Sequence, residues 1–289
     1  MLFRTKVSIP NFKNRIDYAS KVFSIGSCFA IHISEKLGYY KFDTLTNPIG
    51  ILFHPRAIAR FLERTAHSAC YDKKDVFFRN EQWQCFEAHS TMNCSTEEAI
   101  IINLNQALNT AKNYIKHATH CIITLGSAWV YQEKTTDNIV ANCHKLPASN
   151  FEKKLLSPEE IHESLQLIKT CVHQLNPNCH ILFSLSPVRH LKDGLIENAQ
   201  SKALLLAGIH SFLTAQQDEN LNYFPACEIM MDELRDYRFY ADDMLHPSVK
   251  AIEYIWEQFK DAALGPKAED TMQRVASIQK RLLHKAFNP

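Results

Sequence analysis

The sequence predicts an α/β fold, a three-layer α/β/α sandwich on a mostly parallel sheet, from two observations. Three runs, Val22-Phe23-Ser24-Ile25, Cys121-Ile122-Ile123-Thr124-Leu125 and Ile181-Leu182-Phe183-Ser184-Leu185, are almost continuously apolar, as strands covered on both faces must be. Amphipathic helical stripes separate them, and strands alternating with helices along a chain favour parallel pairing through crossovers.

The elements follow in order. After the first strand, Phe29, Ile33 and Leu37 recur at helical spacing, and Gly38 is the expected stop. Tyr40 to Leu45 reads as a second strand, and Asn47-Pro48-Ile49-Gly50 as a loop. Residues 65–95 show no clear period and are read as an irregular insertion or lid. From Glu97 to Ala118 one stripe joins Ile101, Leu104, Leu108, Ala111 and Ile115, leading into the strand 121–125. A second irregular insertion covers 130–156. Ser157-Pro158-Glu159-Glu160 combines a capping box with proline in the first turn, so a helix starts there and runs to Asn176-Pro177. The strand 181–185, a long helix over 195–217 and a last strand at 223–226 complete the alternation. Pro247 is read as opening a further helix, and an amphipathic helix near 267–286 closes the chain.

At 289 residues two domains are possible, but few glycines and prolines argue against linkers, so a single domain over 1–289 is expected. A net charge of +1 supplies no basic surplus for phosphates, which argues against nucleic acid. The first residues lack the apolar core of a signal peptide and no run is long enough to span a bilayer, so the expected location is the cytoplasm, away from membranes. Nine cysteines without a CxxC pair, and 14 histidines without HExxH spacing, give no metal site and no cofactor signature. Apart from Cys28 and Cys143, the cysteines are expected to be buried reduced thiols.

In parallel α/β sheets, ligands lie beyond the carboxyl ends of the strands, so the loops there are where chemistry is sought. Ser27 stands there, between the first strand and its helix. A serine before a helix is usually an N-cap, and its hydroxyl is a weak nucleophile without a base. Asp243-Met244-Leu245-His246-Pro247 offers one: Asp243, in preference to Asp242, could accept the Nδ1 proton of His246 and leave Nε2 to take the serine proton. Cys28, one step into the helix, is read as a packed thiol.

Gly26-Ser27-Cys28-Phe29-Ala30, paired with the late Asp243-x-x-His246-Pro247 block, resembles the GSCFA domain family of the SGNH/GDSL hydrolases. The resemblance implies an SGNH-hydrolase-like, flavodoxin-like fold, with Ser27 as nucleophile and Asp243 and His246 as acid and base. It also implies oxyanion donors: a glycine after the second strand, for which Gly50 in the Asn47–Gly50 loop is placed, with Asn47 beside it, and an asparagine after the third. Here the third block, Thr124-Leu125-Gly126-Ser127-Ala128-Trp129, lacks that asparagine, and Ser127 is the substitute considered. Two further segments resemble family features. Asn142-Cys143-His144-Lys145 contributes His144, and Ser186-Pro187-Val188-Arg189-His190, followed by Asn198 and Ser201-Lys202, contributes Arg189 and His190. Arg189 could clamp a substrate anion and either histidine could serve the oxyanion; the plain alternative pairs Arg189 and Lys202 with local acids. The implied function is a serine esterase acting through an acyl-enzyme on a small acyl ester, an O-acetylated carbohydrate being the leading class. An acyltransferase and a non-catalytic ligand-binding protein are the alternatives.

Overall fold

The computed structural model describes residues 4–283, with only the backbone described for Asp193 and Leu283. Five parallel strands form its central sheet: β1 (Lys21–Gly26), β2 (Asp43–Thr46), β5 (His120–Leu125), β9 (His180–Leu185) and β10 (Leu221–Phe224), in the order β10-β9-β5-β1-β2. Alternation along each strand divides the core between two faces. Phe23, Ile25, Ile123 and Phe183 pack under α2 (Pro55–His67), α3 (Glu97–Ile115), α4 (Pro158–Leu175) and α5 (Leu195–Gln216). Val22, Ile122 and Leu182 face α1 (Cys28–Tyr39), α7 (Val249–Ala263) and the start of α8 (Pro266–Leu283), where Trp256 and Phe259 fill the layer. This is the three-layer sandwich the sequence predicts.

Several boundaries differ. Gly38 lies inside the last turn of α1, and Lys41, at φ 67°, takes the left-handed position after it. Helix α2, unannounced in the sequence reading, is capped by His54, whose Nδ1 accepts from the Ala57 N–H. The stretch 65–95 is not irregular: its first residues finish α2, and β3 (Val76–Arg79) and β4 (Gln82–Cys85) form a hairpin. Its two-residue turn, Asn80-Glu81, has positive φ at both positions but lacks the glycine that advertises such a turn. The stretch 130–156 likewise holds a small antiparallel sheet of β6 (Trp129–Glu133), β7 (Ile139–Val140) and β8 (Phe151–Leu155). Pro247 does not open α7; it pairs with Tyr240 in an isolated bridge, and Ser248 caps the helix through the Ala251 N–H. A short α6 (Ala226–Glu228) and a π-helical turn (Ile229–Leu234) follow β10. Residues 284–286 of the expected last helix lie outside the described residues. No described helix is long and apolar enough to cross a membrane.

All nine cysteines are free; of the seven expected to be buried, Cys85, Cys121, Cys171 and Cys179 are, whereas Cys94 and Cys227 are partly exposed and Cys70 is exposed.

Candidate active site

Strand order reverses direction between β1 and β5, which opens a crevice at their carboxyl ends. Ser27 follows β1 and Gly126 follows β5, so both stand at this crevice. Gly26, at φ +144°, lets the chain turn there: a Cβ on it would lie 2.1 Å from the Thr124 carbonyl oxygen. That carbonyl accepts the Ser27 N–H at 3.0 Å. The serine's own amide is therefore committed to the neighbouring strand and does not point into the crevice as an oxyanion donor.

Ser27 occupies the N-cap position of α1, yet its hydroxyl caps nothing. Its Oγ is fully buried and makes no hydrogen bond among the described residues. A buried hydroxyl left unbonded costs about 1–3 kcal/mol, so the simple capping role does not account for it. Burial pushes the Cys28 thiol up, which disfavours the thiolate a cysteine nucleophile needs.

His246 and Asp243 meet on an exposed loop. Asp243 Oδ2 lies 2.6 Å from His246 Nδ1, and Oδ1 accepts the N–H groups of Leu245 and His246. The His246 N–H, then that of Leu245, and the imidazole hold the carboxyl down to about 2. Met244, at φ 59°, makes the tight turn that folds Asp243 back. The loop is tied to the carboxyl end of β9 by the Arg189 N–H, which donates to the Leu245 carbonyl at 3.1 Å. Ser27 Oγ and His246 are not hydrogen-bonded in this state.

His190 stands on the serine side of the site. A Cβ built on Gly126 would lie 3.2 Å from Ser27 Cβ, 3.2 Å from His190 Nε2 and 3.1 Å from the Phe53 carbonyl oxygen. The serine and the imidazole thus flank the space that the absent Gly126 side chain leaves. The His190 backbone is fixed by Asn198 Oδ1, and its ring stands edge-on to Phe53.

The other candidates divide sharply. Asn47 reaches the site: its Oδ1 accepts the Gly26 N–H at 2.8 Å, and its Nδ2 is buried without a partner among the described residues. The Gly50 N–H instead closes its own turn on the Asn47 carbonyl at 2.8 Å, so that amide is not available as an oxyanion donor. Ser127 is turned away, its N–H on the Phe53 carbonyl and its Oγ accepting the Trp129 N–H. His144 is a buried framework residue: Nε2 bonds the Cys85 carbonyl at 2.7 Å while the ring packs edge-on against Phe77. Arg189 lies over the rings of Tyr240 and Tyr237, at 4.1 and 5.1 Å. Neither Arg189 nor Lys202 has a carboxylate partner among the described residues, contrary to the plain alternative; Lys202 Nζ donates to the carbonyls of Gly126 and Ser186. Among the described residues no group of acids, histidines and cysteines could hold a metal ion. Gly126 and Phe53 were given no role from sequence. Gly126 carried a signal, a glycine directly after a buried strand; Phe53, which acts through its carbonyl, carried none.

The GSCFA family pattern matches residues 21–259, and the chain belongs to the GSCFA family. Among solved structures it is similar to an acetyl esterase mutant with acetate ion (12% identity, 89% of this chain and 99% of that one, TM-score 0.42). A carbohydrate esterase family 3 protein from Talaromyces cellulolyticus is 11% identical over 88% of this chain and 99% of that one, at a TM-score of 0.40. An acetyl xylan esterase from the rumen bacterium Butyrivibrio proteoclasticus is 12% identical over 93% of this chain and 66% of that one, also at 0.40. No match was found among curated proteins.

Proposed function

We propose that the protein is a serine esterase in which Ser27 attacks an acyl carbonyl, His246 Nε2 takes the hydroxyl proton, and Asp243 holds the imidazole. The observation that carries this reading is a buried serine hydroxyl that caps nothing, at the same sheet end as an aspartate–histidine pair. With Asp243 on Nδ1, the neutral imidazole carries its proton there and presents a basic Nε2. Approach of Nε2 to Ser27 Oγ is the step the ester-bound state requires, since the hydroxyl makes no such bond beforehand.

The tetrahedral oxygen needs donors. Asn47 Nδ2, buried without a partner among the described residues, is one, and His190 Nε2, beside the space that Gly126 leaves against Ser27, is the second; they take the place of Gly50 and Ser127. Collapse of the intermediate returns the proton from His246 to the leaving alcohol. A water activated by the same imidazole then releases the acid. The substrate class is a small acyl ester, with O-acetylated carbohydrates first because the SGNH resemblance points there. Transfer of the acyl group to a second alcohol would use the same intermediate.

Turnover of aryl acetates and acetylated sugars by the intact chain tests the proposal: activity lost in Ser27→Ala supports it, and equal activity in that variant overturns it. A non-catalytic ligand-binding role is the second reading, favoured by the full burial of Ser27.

A further inference from the structure

Lys202 projects from α5 to a point beneath the crevice, where its Nζ donates to the Gly126 carbonyl at 2.8 Å and the Ser186 carbonyl at 2.7 Å. These residues immediately follow β5 and β9, so one ammonium ties together the two loops that carry Gly126 and His190. The ionisable groups it feels are the thiols of Cys28, next to Ser27, and Cys227 on α6. Beyond Cys227 lie Glu228, bonded to the Tyr223 hydroxyl, and Asp232. No carboxylate pairs with the ammonium among the described residues.

Burying a cation without an anion is costly, and an apolar side chain of similar length would fill such a space at less cost. Two carbonyl dipoles offset part of that penalty and leave a net positive charge at the Gly126 carbonyl, the residue whose added Cβ would lie 3.2 Å from Ser27 Cβ. From this geometry we infer that Lys202 is the standing positive charge of the oxyanion site, a positioning residue that holds the Gly126 and Ser186 loops and opposes the negative charge formed when Ser27 attacks an ester. It does not touch the reacting atoms. The inference rests on the esterase reading of Ser27.

Burial pushes the Lys202 ammonium down to about 8, so the charge is present at neutral pH and is lost on moderate alkalinisation. Steady-state hydrolysis of para-nitrophenyl acetate from pH 6 to 10 by the wild type, Lys202→Met, Lys202→Arg and Ser27→Ala provides the test, with thermal melts of each. Lys202→Met is expected to lower kcat on the order of 100-fold with KM little changed. Lys202→Arg is expected to keep most of kcat and to lose the wild-type fall in rate above about pH 8. The pH profile separates this role from a purely structural one and remains readable in Lys202→Arg if the methionine variant does not fold. Wild-type kcat in Lys202→Met, or a Lys202→Arg profile with the wild-type alkaline fall, overturns the inference and leaves the esterase reading intact. Wild-type turnover in Ser27→Ala overturns both.

Discussion

His246 Nδ1 and Asp243 Oδ2 stand 2.6 Å apart, and the second oxygen of the same carboxylate holds the backbone N–H groups of the Leu245–His246 segment. One side chain therefore fixes both the loop and the imidazole tautomer. Asp243→Asn should leave the fold intact, because its amide oxygen can still accept from the backbone, but it should disturb the tautomer. Activity is expected to fall by up to about 10⁴-fold, the loss found for such a substitution in a Ser-His-Asp enzyme. Steady-state kinetics with circular dichroism checks this; a loss below tenfold would contradict the assigned role.

Asn47 separates two functions in one side chain. In Asn47→Asp the oxygen that accepts from Gly26 is retained while the unpartnered buried donor is replaced by an acceptor. The rate should fall roughly 100- to 1000-fold, the usual cost of one oxyanion donor. If kcat stays within a few-fold of wild type, Asn47 is not that donor.

Gly126→Ala tests the space shared by Ser27 and His190. The added methyl would meet Ser27 Cβ and His190 Nε2 at 3.2 Å and the Phe53 carbonyl oxygen at 3.1 Å, so these groups must give way slightly. A full 1 Å misplacement at such a site costs on the order of 100-fold in rate, so shifts of a few tenths of an ångström should cost less than that, and the overpacking costs about 1–3 kcal/mol of stability at most. Kinetics and urea unfolding of the variant measure the two effects separately. The expected outcome is folded protein with turnover reduced by less than about 100-fold.

Acid stability is set partly by two buried histidines away from the chemistry. Burial pushes His54 and His120 down to about 4, and both rings are bonded to backbone carbonyls. Between that value and the unfolded histidine value of about 6.5, the unfolded chain binds more protons than the folded one, so stability falls as pH drops through this window. Each histidine should account for about 2 kcal/mol of the loss between pH 7 and pH 5. Urea unfolding at the two pH values checks the total, and His54→Gln should flatten the difference.

The buried strands and the crossover helices were legible in the sequence because burial on two faces leaves a continuous apolar run and burial on one leaves a stripe. The antiparallel additions were not. Asn80-Glu81 turns a hairpin without glycine, and the strands of the 130–156 stretch are short and separated by long connections. At the site, Ser27, Asp243 and His246 were readable as blocks, since a nucleophile and a base need particular residue types at element boundaries. The donors were less so. Whether an amide is free depends on which carbonyl lies opposite: the Ser27 and Gly50 N–H groups are taken by Thr124 and Asn47, and that pairing is set by tertiary contacts. The orphaned Asn47 Nδ2 and the carbonyl-bound Lys202 arise from the same kind of contact.

The most direct test of the central claim is covalent labelling of the intact chain with a fluorophosphonate, followed by peptide mapping at neutral pH. One adduct is expected, on Ser27, absent in Ser27→Ala and formed far more slowly in His246→Ala. An adduct on a different residue, or labelling of Ser27 at an unchanged rate without His246, would contradict it.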